Sequence, residues 1–146
     1  MSSFFVPGQP ATKGSTRSFR HQHSGAIVTM ADCKRLKAWT VLARNAALAA
    51  GVQQTTQPVG VVCFFYFERP KFHRGVRGLR PSAPRWHVVK PDVDKLARAV
   101  LDALTGIAYY DDSQVVDIIC QKYFADANPE GAGVRINIVP KHEVPV

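Results

Sequence analysis

Residues 59 to 67 read VGVVCFFYF, a run of nine residues with no charge, dominated by β-branched and aromatic side chains. The run is far shorter than the ~18 apolar residues a membrane helix needs. It also lacks the alternation of a strand with one wet face, so it predicts a strand covered on both faces at the centre of a sheet. Such a strand needs partners on both edges and cover on both faces, and the rest of the chain supplies candidates. Ser3 to Val6 is a short apolar strand ended by Pro7-Gly8. The Thr-, Ser-, Lys-, Arg- and Gln-rich segment through about His23 forms a basic hairpin with Gly25 to Thr29. Leu36, Trp39, Ala43, Ala46 and Ala50 repeat with helical spacing, with Asp32 placed to cap the helix and Gly51 to close it. Val93, Leu96, Ala97, Val100, Leu101 and Leu104 mark one face of a second helix that Thr105-Gly106 terminates. Val115 to Phe124 reads as a half-buried strand, and Val134, Ile136 and Ile138, alternating with Arg135 and Asn137, as the last one after a turn at Asp126 to Gly133. The expected architecture is a single compact α/β domain over residues 1–146, a mixed β-sheet with two main helices.

With 146 residues and 46% hydrophobic content, the chain can build one core without disulfide support. Cys33, Cys63 and Cys120 are odd in number, widely spaced and without a Cys-x-x-Cys pair, so they read as buried thiols of a reducing compartment and not as a disulfide or zinc framework. The first residues lack the pattern of a secretory signal, and no apolar stretch is long enough to span a membrane, so a cytoplasmic protein is expected. Nineteen Lys and Arg against eleven Asp and Glu give a net charge of +8, which suits a polyanionic partner such as nucleic acid or, more blandly, a surface kept basic for solubility. The excess is concentrated. Residues 68–90 break all periodicity and carry Glu68 as their only acid, which predicts a long basic loop, and loops of that length are usually functional or disordered. Lys71, Arg74, Arg77, Arg80, Arg85, His87 and Lys90 of this stretch, with Lys95 just beyond, are the expected contacts to backbone phosphates.

Acids cluster just after that basic stretch, in KPDVDKLARAVLDALTG followed by YYDDSQVV. Pro91 disfavours helix at Lys90, so Asp92 falls at or just before the helix start and Asp94 in its first turn, where both carboxylates can converge. If the chain folds back after the helix, one carboxylate of Asp111-Asp112 joins them. Three carboxylate oxygens suit Mg²⁺, with Mn²⁺ as an alternative, because hard cations take a few carboxylates, waters and phosphate oxygens. A divalent ion there would activate a water and offset charge on a scissile phosphodiester. Each acid also has an ordinary structural alternative, as a helix cap at Asp92 and Asp94 or as a turn at Asp111-Asp112. Asp102 shares a face with Asp94 and Arg98 and reads as part of a solvated helix-surface ion pair.

Taken together, these segments closely resemble the signature of the RusA family of Holliday junction resolvases, roughly Lys-Pro-Asp-x-Asp-Asn-Leu-x-Lys, then Asp-Ala-Leu, then Asp-Asp-x-Gln-Val. The opening FFVPGQPATKGSTR is similar to that family's first strand and basic loop, and the intervening helix and strand fall in its order. The resemblance implies a homodimeric, Mg²⁺-dependent endodeoxyribonuclease that makes paired nicks in four-way DNA junctions, with Asp92, Asp94 and Asp112 as catalytic metal ligands. Two positions depart from the pattern: Lys95 stands where the family has Asn, and Arg98 where it has a functional Lys. Arg98 retains an electrostatic role but cannot shuttle a proton. Trp86 and Phe72 read as loop packing before base-stacking groups, Trp39 as core, and His23 and His87 as outside the metal site. Two other functions fit the same residues: a basic nucleic-acid-binding module without catalysis, and a less selective flap or fork nuclease.

Overall fold

A computed structural model of the chain describes residues 2–12, 16–20, 27–31 and 33–141, with side chains from residue 34 onward and in 2–12. In chain order the elements are β1 (Ser2–Pro7), β2 (Thr16–Arg20), β3 (Ile27–Ala31), α1 (Cys33–Ala49), β4 (Val59–Phe67), β5 (Arg74–Gly75), β6 (Gly78–Leu79), α2 (Val93–Leu104), β7 (Val115–Phe124) and β8 (Gly133–Pro140). The fold is α/β with two helices and a mixed sheet, as expected. Strands β2 and β3 pair as the predicted hairpin, with Thr16 opposite Ala31. Its turn, with His23 and Gly25, and the proposed cap Asp32 lie outside the described residues.

The main sheet runs β1-β8-β4-β7. Strand β4 lies antiparallel to β8 and parallel to β7, with Cys63 opposite Cys120 and Phe67 opposite Phe124. Its inner position is the one its apolar run predicts. The cover differs. Val61, Cys63, Phe65 and Phe67 join a core with Trp39, Ala43 and Ala47 of α1 and Leu96, Val100, Ala103 and Leu104 of α2. Val62, Phe64 and Tyr66, on the opposite face, are only half-buried. An unbroken apolar run does not say which face receives helices. Here the outer aromatics are sheltered by one another: Tyr66 stacks on Tyr123 at 5.6 Å, and Phe64 lies 6.3 Å from the same ring. Strand β7 also departs from expectation. It is a sheet edge, and Val116, Ile118 and Ile119 are exposed along it.

Each helix is closed by a specific device. Gly51, at φ +78°, ends α1, with its N–H on the Leu48 carbonyl (3.0 Å) and the Val52 N–H on that of Ala47 (3.1 Å). This is the Schellman arrangement, which a residue without Cβ adopts at low cost. Of the expected stripe, Trp39 and Ala43 are buried and Leu36 and Ala46 pack against the core, whereas Ala50 is exposed and Ala47 is buried in its stead. Helix α2 has no basic residue in its last turn. Arg44 of α1 supplies one from outside, donating through Nη1 to the carbonyls of Ala103 and Thr105 at 3.1 Å each. A cation there satisfies orphan carbonyls and complements the helix dipole.

The stretch 68–90 is more ordered than its lack of periodicity suggests. It contains a 3-10 turn at Lys71–His73 and the tiny β5–β6 hairpin. Arg69 fastens it, with Nε on Asp126 Oδ1 (2.8 Å), Nη1 on the Pro84 carbonyl (2.8 Å), and its guanidinium 4.0 Å above the Phe124 ring. His73 and His87 are buried against the same strand ends; His87 stacks on Phe67 at 4.2 Å and meets the edge of Phe124 at 5.3 Å. Burial, helped by the positive charge of Lys122, lowers the His87 pKa below the ordinary imidazole value. The folded state therefore binds this proton more weakly than the unfolded chain does. Its contribution to stability is complete above the unfolded pKa of about 6.5 and is lost as the pH falls from there toward the lower folded value. Urea unfolding between pH 7.5 and 5 should show stability falling with pH, and His87→Phe should flatten that fall. An unchanged slope would show that His87 titrates normally.

Candidate active site

The acids sit on the crossover that joins β4 to β7. A parallel pair cannot be closed by a tight turn, so the basic stretch and α2 carry the chain back along the sheet. Asp92 occupies the N-cap position of α2 in an extended conformation (φ −73°, ψ 146°), as Pro91 predicts. Its carboxylate makes no capping hydrogen bond. The ordinary structural use of an N-cap Asp is thus not realised. The carboxylate is exposed, with Lys95 Nζ 3.9 Å from its Oδ2. Asp94 is exposed in the first turn of α2, and Arg98 is exposed one turn further on.

Sequence reasoning missed Lys122. This residue is on the helix-side face of β7, and its Nζ donates to the carbonyls of Val89 and Pro91 at 2.9 Å each. The two bonds fix the backbone immediately before Asp92 against the sheet. Burial lowers the Lys122 pKa, partly offset by the negative charge of Asp92. No local pattern could have found it, since in sequence it is one more position of a half-buried strand, thirty residues from the acid it serves.

The second acidic group is resolved into two roles. Asp111 Oδ1 accepts from the Ser113 N–H at 2.9 Å, and the hydrogen bonds from Ser113 hold its carboxyl below the usual carboxylate range. Gln114 Oε1 accepts from the N–H groups of Tyr110 (2.8 Å) and Asp111 (3.0 Å), and its Nε2 donates to the carbonyls of Thr55 (2.8 Å) and Gln57 (3.1 Å). Asp111 and Gln114 thus form a capping box around the 3-10 turn 112–114. Tyr109 is buried beneath, its hydroxyl donating to the Leu101 carbonyl at 2.7 Å. Asp111 is a turn residue; Asp112 is exposed and takes no part in the box.

One chain does not bring the three carboxylates together. Asp92 starts α2, whereas Asp112 follows its end, and a helix of twelve residues spans ~18 Å. The sheet gives the same answer: Lys122, beside Pro91, lies seven residues along β7 from Val115, or roughly 23 Å. Among the described residues, no three His, Cys, Asp or Glu side chains form a group that could hold a metal ion. The chain does fold back at Asp111-Asp112, but at the far end of the helix from Asp92 and Asp94. In donor chemistry Asp92 and Asp94 would suit part of a Mg²⁺ shell, since this ion usually takes one or two carboxylates with waters and phosphate oxygens.

The expected phosphate contacts divide as well. Lys71, Arg74, Arg77, Arg80 and Arg85 are exposed on the loop, and Lys90 and Lys95 flank Asp92. His87 is a correction: its imidazole packs between Phe67 and Phe124, only 7% of the residue is exposed, and it is not presented to a phosphate. Trp86 is half-exposed beside Tyr123 at 5.6 Å, Phe72 projects from the turn, and Trp39 is core as expected. Gln114→Ala should remove all four side-chain bonds that Gln114 makes around the 110–114 turn. A loss of about 2–3 kcal/mol in urea unfolding at unchanged m-value is expected, and a loss below about 0.5 kcal/mol would show that the turn holds without the clamp.

The sequence matches the family model described as endodeoxyribonuclease RusA over residues 7–138, from the end of β1 through most of β8 and across both acidic groups. It is also 28% identical over 126 residues to an uncharacterized protein, YqaN, of Bacillus subtilis strain 168, an overlap of 84% of this chain and 87% of that one. With the family model covering nearly the whole fold, both acidic groups included, this chain belongs to the RusA family of endodeoxyribonucleases.

Proposed function

We propose that the protein is a Mg²⁺-dependent endonuclease that resolves four-way DNA junctions as a two-fold symmetric homodimer. The observation that carries this reading is the separation of Asp92 and Asp94 from Asp112 along α2, together with the edge of β7, which is unpaired among the described residues. A ten-residue edge strand with exposed Val116, Ile118 and Ile119 is a ready template for another strand. Antiparallel pairing of two β7 strands about a two-fold near Ile118 sets Val115 of one chain opposite Gln121 of the other. The partner's Asp112 then approaches the Lys122 end of the strand, where Asp92 and Asp94 stand. Each of the two sites would draw carboxylates from both chains, and a symmetric dimer would offer two of them to the two strands cut in a junction.

In this arrangement Asp92, Asp94 and the partner's Asp112 would hold Mg²⁺, which would supply water activation and offset charge on the scissile phosphate. Lys122 holds the Asp92 backbone in place. Arg98, one turn from Asp94, offsets phosphate charge without exchanging a proton. The exposed arginines of residues 68–90 contact the backbone and set affinity without reading sequence.

Asp92→Asn, Asp94→Asn and Asp112→Asn should each abolish Mg²⁺-dependent cleavage of a labelled four-way junction while leaving binding intact. The decisive measurement mixes two dead variants. Co-refolded Asp92→Asn and Asp112→Asn chains should regain nicking at about a quarter of the wild-type sites, because half the dimers are mixed and each mixed dimer holds one intact shared site. Complete inactivity of the mixture would mean that each site belongs to one chain. Matched duplex, flap and fork substrates in the same assay decide between junction resolution and a broader nuclease. Arg74→Ala with Arg77→Ala and Arg80→Ala should weaken binding to every DNA form and reduce the log-log salt slope by about 0.9 for each phosphate that is no longer neutralised; an unchanged slope would take the loop off the DNA.

A further inference from the structure

A cleft of about 250 Å³ opens beside Asp92, between the segment that follows β1 and the start of α2. Pro10 and Thr12, Arg35 from the first turns of α1, and Lys90 and Lys95 line it together with Asp92. Arg35 is not left to wander: its Nη2 donates to the carbonyls of Gln9 (3.2 Å) and Pro10 (3.1 Å). Pro10 is itself fully buried, so these bonds tether the guanidinium to a fixed wall. A guanidinium has five N–H donors, and both bonds here come from one nitrogen, which leaves donors for a ligand. Three cations and one carboxylate therefore line a space below the roughly 300–1,000 Å³ of a pocket for an organic molecule. Size and charge select a small anion.

We propose that this cleft seats the backbone phosphate next to the one that is cut, with Arg35 as its anchor and Lys90 and Lys95 closing over it. Naming that phosphate rests on the reading of Asp92 as an active-site carboxylate; the anion site itself does not. Lys95 would then bridge two tasks, its ammonium lying near Asp92 on one side and facing the seated phosphate on the other. A strand held at this point is fixed in register relative to Asp92 and Asp94, because phosphate contacts position the backbone. The site also supplies a use for Lys95 where the family pattern has Asn: a cation that adds to the anion's hold.

The test needs binding alone. Fluorescence anisotropy without divalent ions would compare wild type and Arg35→Ala on four-way junctions, each carrying one neutral methylphosphonate near the crossover. In wild type, neutralising the seated phosphate should weaken binding about tenfold. In Arg35→Ala the unmodified junction should bind about tenfold more weakly, with a salt slope smaller by about 0.9, and the same methylphosphonate should cost nothing more. Lys90→Ala, which leaves the Gln9 and Pro10 tether in place, should reduce the cost of that same methylphosphonate and serves if Arg35→Ala misfolds. If every methylphosphonate costs as much in both variants as in wild type, the cleft holds no phosphate. Cleavage by wild type is scored separately. Coupling without cleavage would keep the phosphate site and remove the nuclease reading, whereas cleavage without coupling would remove only the phosphate site.

Discussion

The parallel pairing of β4 with β7 is the constraint on which the rest of the structure depends. Two neighbouring strands that run the same way cannot be joined by a hairpin, so the chain between them must leave the sheet and return. That return carries the basic stretch and α2, and it decides where the candidate site residues fall. Asp92 and Asp94 are set near the C-terminal end of β7, and Asp112 at its start. One topological requirement thus accounts for both the basic surface beside the first acids and the distance between the two acidic groups.

Polar side chains hold the crossover in place. Arg69 ties its first residues to Asp126 and Phe124, Lys122 ties Val89 and Pro91 to the sheet, Arg44 caps the end of α2, and Gln114 clamps the following turn to residues 55 and 57. Each of these side chains pairs with a backbone carbonyl distant in sequence; Arg69 meets a carboxylate and a ring as well. The positive charge of the protein therefore does two jobs. Arg44, Arg69 and Lys122 act inside the fold, while Arg74, Arg77, Arg80 and Arg85 are exposed on the surface, where the proposed function would set them against DNA. A net charge of +8 does not distinguish the two groups.

The exposed edge of β7 and the split acids bear on the same question. A long apolar edge strand is a liability in a monomer, and proteins usually blunt such edges with charge, proline or a bulge. Here Asp117 is the one acid on the strand and is paired with Lys141, while Val116, Ile118 and Ile119 remain exposed. The register of β7 against β4 shifts once, at Val116, and from Asp117 to Phe124 the edge runs on regularly and unpaired among the described residues; an edge that starts beside one acidic group and ends beside the other is consistent with a function that needs two chains. The carboxylates of Asp92 and Asp112, neither used in a capping bond, are consistent with it too.

Much of the fold was legible because its signals are local. The apolar run of β4 set an inner strand, the helical spacing and Gly51 set α1, and Pro91 with the periodicity from Val93 set α2 and the extended conformation at Asp92. The acids were legible through their motif, and the family that motif resembles is the one the chain belongs to. The tertiary structure alone decided which face of β4 the helices cover, that β7 is an edge of the described sheet, that His87 is buried, that Asp111 serves its turn while Asp112 is left outside the box, and that Lys122, Arg35 and Arg44 reach carbonyls far along the chain. The physical reason is range: periodicity, caps and turns depend on neighbours a few residues away, whereas a cation meeting a carbonyl thirty or sixty positions distant depends on how the elements pack. The same limit applies to the acids, whose types and spacing could be read from the sequence but whose separation followed only from the length and direction of α2.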